Sequence, residues 1–263
     1  MQRYLVVVAL FVLSMITYID RACISSAKDP IAAELGLDDS AMGLVFSAFA
    51  LGYALAQIPA GRFADRAGPG IALATVVTAW SALTALTGKA SSLAGLVTVR
   101  FLFGIAEAGA FPGSVRAIYN WLPADERGRA NGVLFSGSRI GAAVSFPLFA
   151  WMLAQWHWRT AFTILGAVGV VWVVFWLLWF RDYPKQRVLK DEIPPFAQIT
   201  VSEAFRSWPM ALAMTQYFAG NFTFFLCLSW MHPYLKSEYR LSNDQAAGYT
   251  MAPLLVGASA QWV

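Results

Sequence analysis

Apolar residues in this chain come in long blocks separated by short polar connections. Seven blocks have about the 20 residues that a bilayer-crossing helix needs. They lie near 4–26, 41–60, 70–88, 91–115, 130–153, 160–180 and 209–233, and an eighth begins near 245 and runs on to Val263. No block shows the period-two alternation of a half-buried strand or the polar face of a surface helix. The pattern predicts an all-α polytopic membrane protein. The first block is too long for a signal-peptide core and is followed by further spans, so it is expected to be retained.

The blocks fall into two groups. Six fill residues 1–181, and residues 182–207 form a polar stretch containing Lys185, Arg187, Lys190, Asp191 and Glu192. Residues 208–263 then supply one span and part of another. Six helices, a charged linker and further helices is the layout of a transporter built from two six-helix halves. On that plan the chain holds the first bundle and the start of the second, the rest of which is expected to lie beyond it.

Composition narrows the classes. Hydrophobic residues make up 58% and charged residues 13%, against roughly 45–50% and about 25% in soluble domains. Mean hydropathy is +0.56. A soluble enzyme, a disulfide scaffold and a disordered chain are excluded. The net charge of +4 does not mark a nucleic-acid binder, because the basic residues sit in short loops rather than on one face. Cys23 and Cys227 lie in apolar segments and read as small buried hydrophobes. With the N-terminus placed inside, eleven Lys and Arg fall in cytoplasmic connections and five outside. The positive-inside rule therefore predicts a cytoplasmic N-terminus.

Five charges fall within spans: Asp20, Arg21, Arg100, Glu107 and Arg139. Each costs roughly 2.5–3.5 kcal/mol to insert at the bilayer centre and by default signals function. Arg100 and Glu107 are seven residues apart, so they share a helix face about 10.5 Å apart along the axis. Asp20 and Arg21 point about 100° apart, and one of them can face a central cavity while the other faces a neighbouring helix. Tyr18, three residues before Arg21, lies on a similar face. The carboxylates also admit a second reading, as permanent structural partners of the arginines; for Arg100, an ion pair with Asp20 stands beside a coupling role. Tyr53 reads either as a hydrogen-bonding group or as packing, and Asn221 either faces substrate or bonds a neighbouring helix. Gly109-xxx-Gly113 and Gly137-xxx-Gly141 predict close helix packing. His157 and His232 have no carboxylate or cysteine cluster beside them, so no metal site is expected.

Between the second and third spans the chain reads Gly61-Arg62-Phe63-Ala64-Asp65-Arg66-Ala67-Gly68. This resembles the G-x-L-A-D-R-x-G signature of the major facilitator superfamily, with Phe63 for the usual Leu and Pro69-Gly70 for the usual basic pair. Three further runs narrow the likeness: Tyr18-Ile19-Asp20-Arg21, the segment from Arg100 to Pro112, and Gly137-Ser138-Arg139-Ile140-Gly141. Together they resemble the anion:cation symporter family, which includes bacterial hexuronate, galactonate and glucarate transporters. Span seven departs from that family's Trp-Leu-Pro ending, with Trp230-Met231-His232-Pro233.

The resemblance implies a proton-coupled symporter importing a small organic anion, such as a hexuronate or aldonate, across the bacterial inner membrane. It further implies that Arg21 grips the substrate carboxylate; Tyr18, Tyr53, Arg139 and Asn221, taken from their places in the spans, are the further candidate substrate contacts. Asp20 and Glu107 would carry coupling protons together with Arg100, and Gly61, Asp65, Arg66 and Gly68 would latch the two halves. A sodium-coupled or facilitative carrier of phosphate or another carboxylate is the alternative. The expected partners are the anion, protons and the lipid bilayer, with no nucleic acid and no cofactor, in a monomer. An integral-membrane enzyme would need a nucleophile–base pair or metal cluster at one face, and the sequence offers neither.

Overall fold

The computed structural model describes residues 2–183 and 207–259, all helix and connecting turns with no strand among them. Helix α1 spans Gln2–Ser26, α2 Lys28–Leu35, α3 Asp39–Thr87, α4 Leu93–Glu107 and α5 Ala110–Trp121. Then follow α6 over Ala124–Gln155, α7 over Trp158–Trp179, α8 over Trp208–Tyr239 and α9 over Asn243–Ser259. Among the described residues, six stretches are long and apolar enough to cross a membrane, with α4 and α5 counted as one. The expected linker at 182–207 lies almost wholly outside the described residues.

At 49 residues, α3 would be about 74 Å long if straight, far beyond a hydrocarbon core of about 30 Å. Its backbone leaves helical geometry at Gly68, where φ is +79°, a left-handed conformation that favours glycine. Pro69 follows, with its fixed φ and missing N–H. The 41–60 and 70–88 blocks are thus two helices meeting at this turn. Asp38 caps the first by accepting a 2.8 Å hydrogen bond from the Ala41 N–H. The stretch between the first and second spans contains α2. This short helix stops at Gly36, also left-handed at φ +64°.

Small residues let the helices approach closely. A Cβ on Gly52 or Gly104 would collide with backbone of the facing helix, so α3 and α4 touch main chain to main chain. Gly137 and Gly141 do the same against Phe11 and Met15 of α1. Gly109 and Gly113 abut the side chains of Val76 and Leu73. Outward residues such as Leu55, Ile58, Val171 and Leu178 remain exposed apolar surface, as a lipid-facing helix requires.

Two polar clusters tie the ends. At the α2 end, Glu34 accepts from the Trp158 indole (2.6 Å) and from Nε and Nη2 of Arg159 (3.0 and 2.9 Å). Arg159 Nη1 donates to the carbonyls of Gly88 and Ala90, so three connections meet on one guanidinium. The Trp158 indole, then Arg159, bond the ionised carboxylate and hold Glu34 below the usual glutamate range. Its stabilisation is therefore present above the unfolded-state value and disappears as pH falls through the lowered folded-state value. Glu34→Gln is expected to lower the thermal midpoint in detergent at pH 7. That deficit should shrink once pH falls below the ordinary glutamate range and vanish only below the lowered folded-state value, where the wild-type carboxylate is itself protonated; an unchanged deficit there would remove the charge from the explanation.

At the opposite end, Asp182 accepts from the Gly70 N–H at 2.7 Å, while its own carbonyl accepts from Asn120 Nδ2 at 3.1 Å. The Trp176 indole donates to the Gly70 carbonyl at 3.2 Å. The chain leaving α7 thereby braces the Gly68 turn, an arrangement that no local feature around Asp182 announces.

Candidate anion site

The buried apolar residues of α1 form two layers. Leu10, Leu13 and Ile16 belong to one, and Cys23 and Ile24 to the other. On α4 the layers are marked by Phe103 and Leu96. Asp20 and Arg21 fall in the seam on α1, and Arg100 falls in it on α4. Each is nearly inaccessible. Depth along the chain therefore brings Asp20, Arg21 and Arg100 to one level.

Arg21 Nε meets Glu107 Oε2 at 2.6 Å, with side-chain exposures of 2% and 0%. The guanidinium is walled by aromatic rings, its carbon 4.4 Å from the Tyr53 centroid, 4.7 Å from Tyr18 and 5.3 Å from Phe49. Cation–π contacts of this kind strengthen once water is excluded. Rings on the faces leave the planar edge as the route for hydrogen bonding. Arg21 Nη2 and Glu107 Oε1 have no hydrogen-bond partner among the described residues.

Arg100 stacks on Phe103 (4.6 Å) and Phe49 (5.0 Å), and its Nε is likewise unpaired among the described residues. The Arg100–Asp20 ion pair is not among the salt bridges of the described residues. Asp20 stays within electrostatic reach of Arg100 and Glu107 and beside the Trp80 indole, with neither oxygen hydrogen-bonded among the described residues. The carboxylate that pairs with an embedded arginine is Glu107, across 86 positions of sequence.

A cavity of about 360 Å³ opens between α1, α3, α4 and α8, within the lower part of the small-molecule range. Arg21, Arg100 and Asn221 all line it, with Phe49, Phe222 and Trp230 among the apolar walls. Asn221 donates its Nδ2 to the Tyr217 carbonyl of its own helix; its side-chain oxygen remains an acceptor. Tyr18 and Tyr53 belong to the site through their rings on Arg21. Arg139 sits 3.9 Å over the Phe224 ring, beside Tyr18. The sequence reading missed the Phe49, Phe103 and Phe111 walls. Phe49 stands four residues before Tyr53, a same-face spacing that could have flagged it.

In the Gly61–Gly68 segment, Asp65 lies 3.7 Å from Arg116 Nη1, both well exposed. Arg62 and Arg66 are exposed and Gly61 has only Pro112 nearby. Nearby, Arg127 donates to the Leu122 carbonyl and stacks on Tyr119.

Comparison with known proteins places the chain in a family. A family profile described as Major Facilitator Superfamily matches residues 10–262. A protein of Cupriavidus necator named a probable sulfoacetate transporter is 36% identical over 97% of this chain and 62% of its own length. The D-galactonate transporter of Escherichia coli O6:H1 is 39% identical over 72% of the chain and 43% of its own. The hexuronate transporter of Bacillus subtilis is 28% identical over 96% and 61%. Among solved structures, a bacterial homolog of the human lysosomal transporter Spinster, inward-facing and unoccupied, superposes with a TM-score of 0.82. That match has 26% identity and covers 98% of this chain and 60% of the other. The chain thus spans about three fifths of the relatives it matches across its length. An all-helical multi-pass membrane protein related to sugar-acid transporters, it belongs to the Major Facilitator Superfamily.

Proposed function

We propose that this chain carries the first half, and the start of the second, of a proton-coupled symporter that imports a small organic anion, a sugar acid such as an aldonate or hexuronate. The observation that carries this reading is Arg21: one nitrogen is held by Glu107, while the residue lines the cavity with another nitrogen, Nη2, that has no hydrogen-bond partner among the described residues. A planar guanidinium suits a carboxylate because two parallel N–H groups meet two oxygens. Glu107 and the anion then compete for the same cation. A proton on Glu107 weakens its claim on Arg21 and makes the cation available to substrate. Proton and anion binding favour one another, and the coupling is reciprocal. The five embedded groups carry a net +1 when both carboxylates are ionised and +3 when both are protonated, which pushes in the same direction.

Residues 1–181 act as the first bundle, 182–207 as the linker and 208–263 as the opening of the second bundle. The Gly68 end faces the cytoplasm and the α2 end faces outside, in a bacterial inner membrane. Uptake of labelled D-galactonate, a hexuronate and sulfoacetate by cells expressing the whole transporter, with and without a protonophore, tests the reading. Accumulation of a sugar acid that collapses with protonophore supports it. Accumulation that follows sodium, or mere equilibration of phosphate, replaces it with the alternative carrier.

The Gly61–Gly68 segment serves in this reading as a latch between the two halves. The Asp65–Arg116 contact is long and exposed, so it contributes at most about 1 kcal/mol. Asp65→Asn is expected to lower maximal uptake several-fold while leaving membrane expression and the half-saturating concentration near wild type. Loss of expression instead would make Asp65 structural.

A further inference from the structure

Helix α8 meets the rest of the chain unevenly. From Trp208 to Tyr217 it is largely exposed, and its buried residues, Leu228, His232 and Pro233, lie near the α2 end. There the contacts are dense. Ser25 Oγ donates to the Ser229 carbonyl at 2.6 Å, and Trp230 stands edge-on to Phe46 at 5.4 Å. Lys28 sits over the Trp230 ring, and Lys236 donates to Asp29. These contacts close the mouth at the α2 end.

His232 lies inside this closure and is 1% exposed. Its ring stacks on Phe146 of α6, centroids 5.5 Å apart and 23° from parallel. Neither ring nitrogen has a hydrogen-bond partner among the described residues. A buried imidazole without an acceptor is uncommon, because each unbonded polar atom gives up its water for nothing. The charged groups acting on it are Lys236 of its own helix and Asp29 of α2; α6 presents Phe146, and α9 the Asn243 backbone. Asp29, the one carboxylate among them, is already bonded to Lys236.

We propose that His232 is a proton-responsive pin in the contact that closes the mouth at the α2 end. As a neutral ring it seats α8 flat against Phe146. A proton on it creates a second cation beside the Lys236 ammonium, and Asp29, the one carboxylate acting on it among the described residues, is taken. The docked position holds the ring out of water, so a charge there loses its hydration, and repulsion from Lys236 adds to that cost; protonation therefore works against docking and favours opening at this end. If this end faces outside, as in the function proposed above, the response opens the site where an importer collects its proton and anion. Histidine is the side chain whose ordinary titration range makes such a switch useful between pH 5 and 8.

The test uses the whole transporter with Cys23 and Cys227 replaced by alanine and spin labels at Ala33 on α2 and Glu238 on α8. Distance distributions are recorded in detergent at pH 8 and pH 5.5 for the parent, His232→Phe and His232→Gln. The parent is expected to gain a longer-distance population at pH 5.5, shifting the open-to-closed ratio by about tenfold. His232→Phe, which retains the ring stack, should stay closed at both values. His232→Gln should show one distribution regardless of pH, and it keeps the test intact if the phenylalanine variant folds poorly. A parent that does not respond, or variants that respond as the parent does, overturn the proposal. In detergent both faces meet the same pH and no anion is present. Failure here therefore leaves the orientation and substrate reading to the uptake assay.

Discussion

Arg21→Ala is expected to abolish binding of the transported anion at every pH. The guanidinium is the cavity-lining cation whose faces are occupied by Tyr18, Tyr53 and Phe49. Alanine removes a charge-assisted pair of hydrogen bonds in a desolvated site and leaves Glu107 buried without its partner. Truncating one member of such a pair costs about 3–5 kcal/mol, or roughly 10²- to 10³-fold or more in affinity. Calorimetric titration of the purified full transporter with its anion, at pH 5.5 and 7.5, would measure it. Because Arg21 also anchors Glu107 across the α1–α4 interface, Arg21→Lys serves as the companion variant. It keeps the charge but loses the planar fork, so weakened binding with intact folding is the expected result. Wild-type affinity in both variants would remove Arg21 from the site.

Glu107→Gln is expected to separate binding from energy coupling. The amide imitates the protonated carboxyl in shape and charge and no longer competes as an anion for Arg21. Substrate should bind at high pH at least as well as in wild type, with most of the pH dependence gone. Exchange of labelled for unlabelled anion should continue, because it needs no net proton movement. Uphill accumulation driven by a proton gradient should fail. Binding, counterflow and gradient-driven uptake in proteoliposomes distinguish these outcomes. If Glu107→Gln accumulates substrate against a gradient with normal pH dependence, the Arg21–Glu107 pair is structural and the coupling proton resides elsewhere. Asp20, buried beside Arg100 with both oxygens unbonded among the described residues, is the next candidate.

The helices were legible in the sequence because membrane insertion is a local property. A run of about 20 apolar residues is sufficient in itself, and the observed helices follow the blocks closely. The break between the second and third spans falls at Gly68-Pro69, inside the glycine-bounded segment that separated those blocks; where the helices depart, a short-range signal was overlooked, Gly36 ending the short helix α2. The embedded charges were equally legible, because each stands out against the cost of placing it in hydrocarbon. Their depth follows from counting residues along each span.

Rotation and pairing were not legible. A helix that is apolar on every side carries no stripe to say which face turns inward, so the facing of Tyr18, Tyr53, Arg139 and Asn221 stayed open. The choice of Glu107 over Asp20 as the carboxylate at an embedded arginine depends on α1 and α4 meeting at one particular azimuth. Tertiary packing decides that azimuth, through Gly52 and Gly104, which bring α3 and α4 into backbone contact, and Gly137 and Gly141, which seat α6 on α1. The sequence by itself determined that there would be buried charges, at what depth and of what sign. Only the packing of four helices at backbone distance decided which of them touch, because a pairing across 86 residues is set by how helices rotate against one another and by nothing local to either residue.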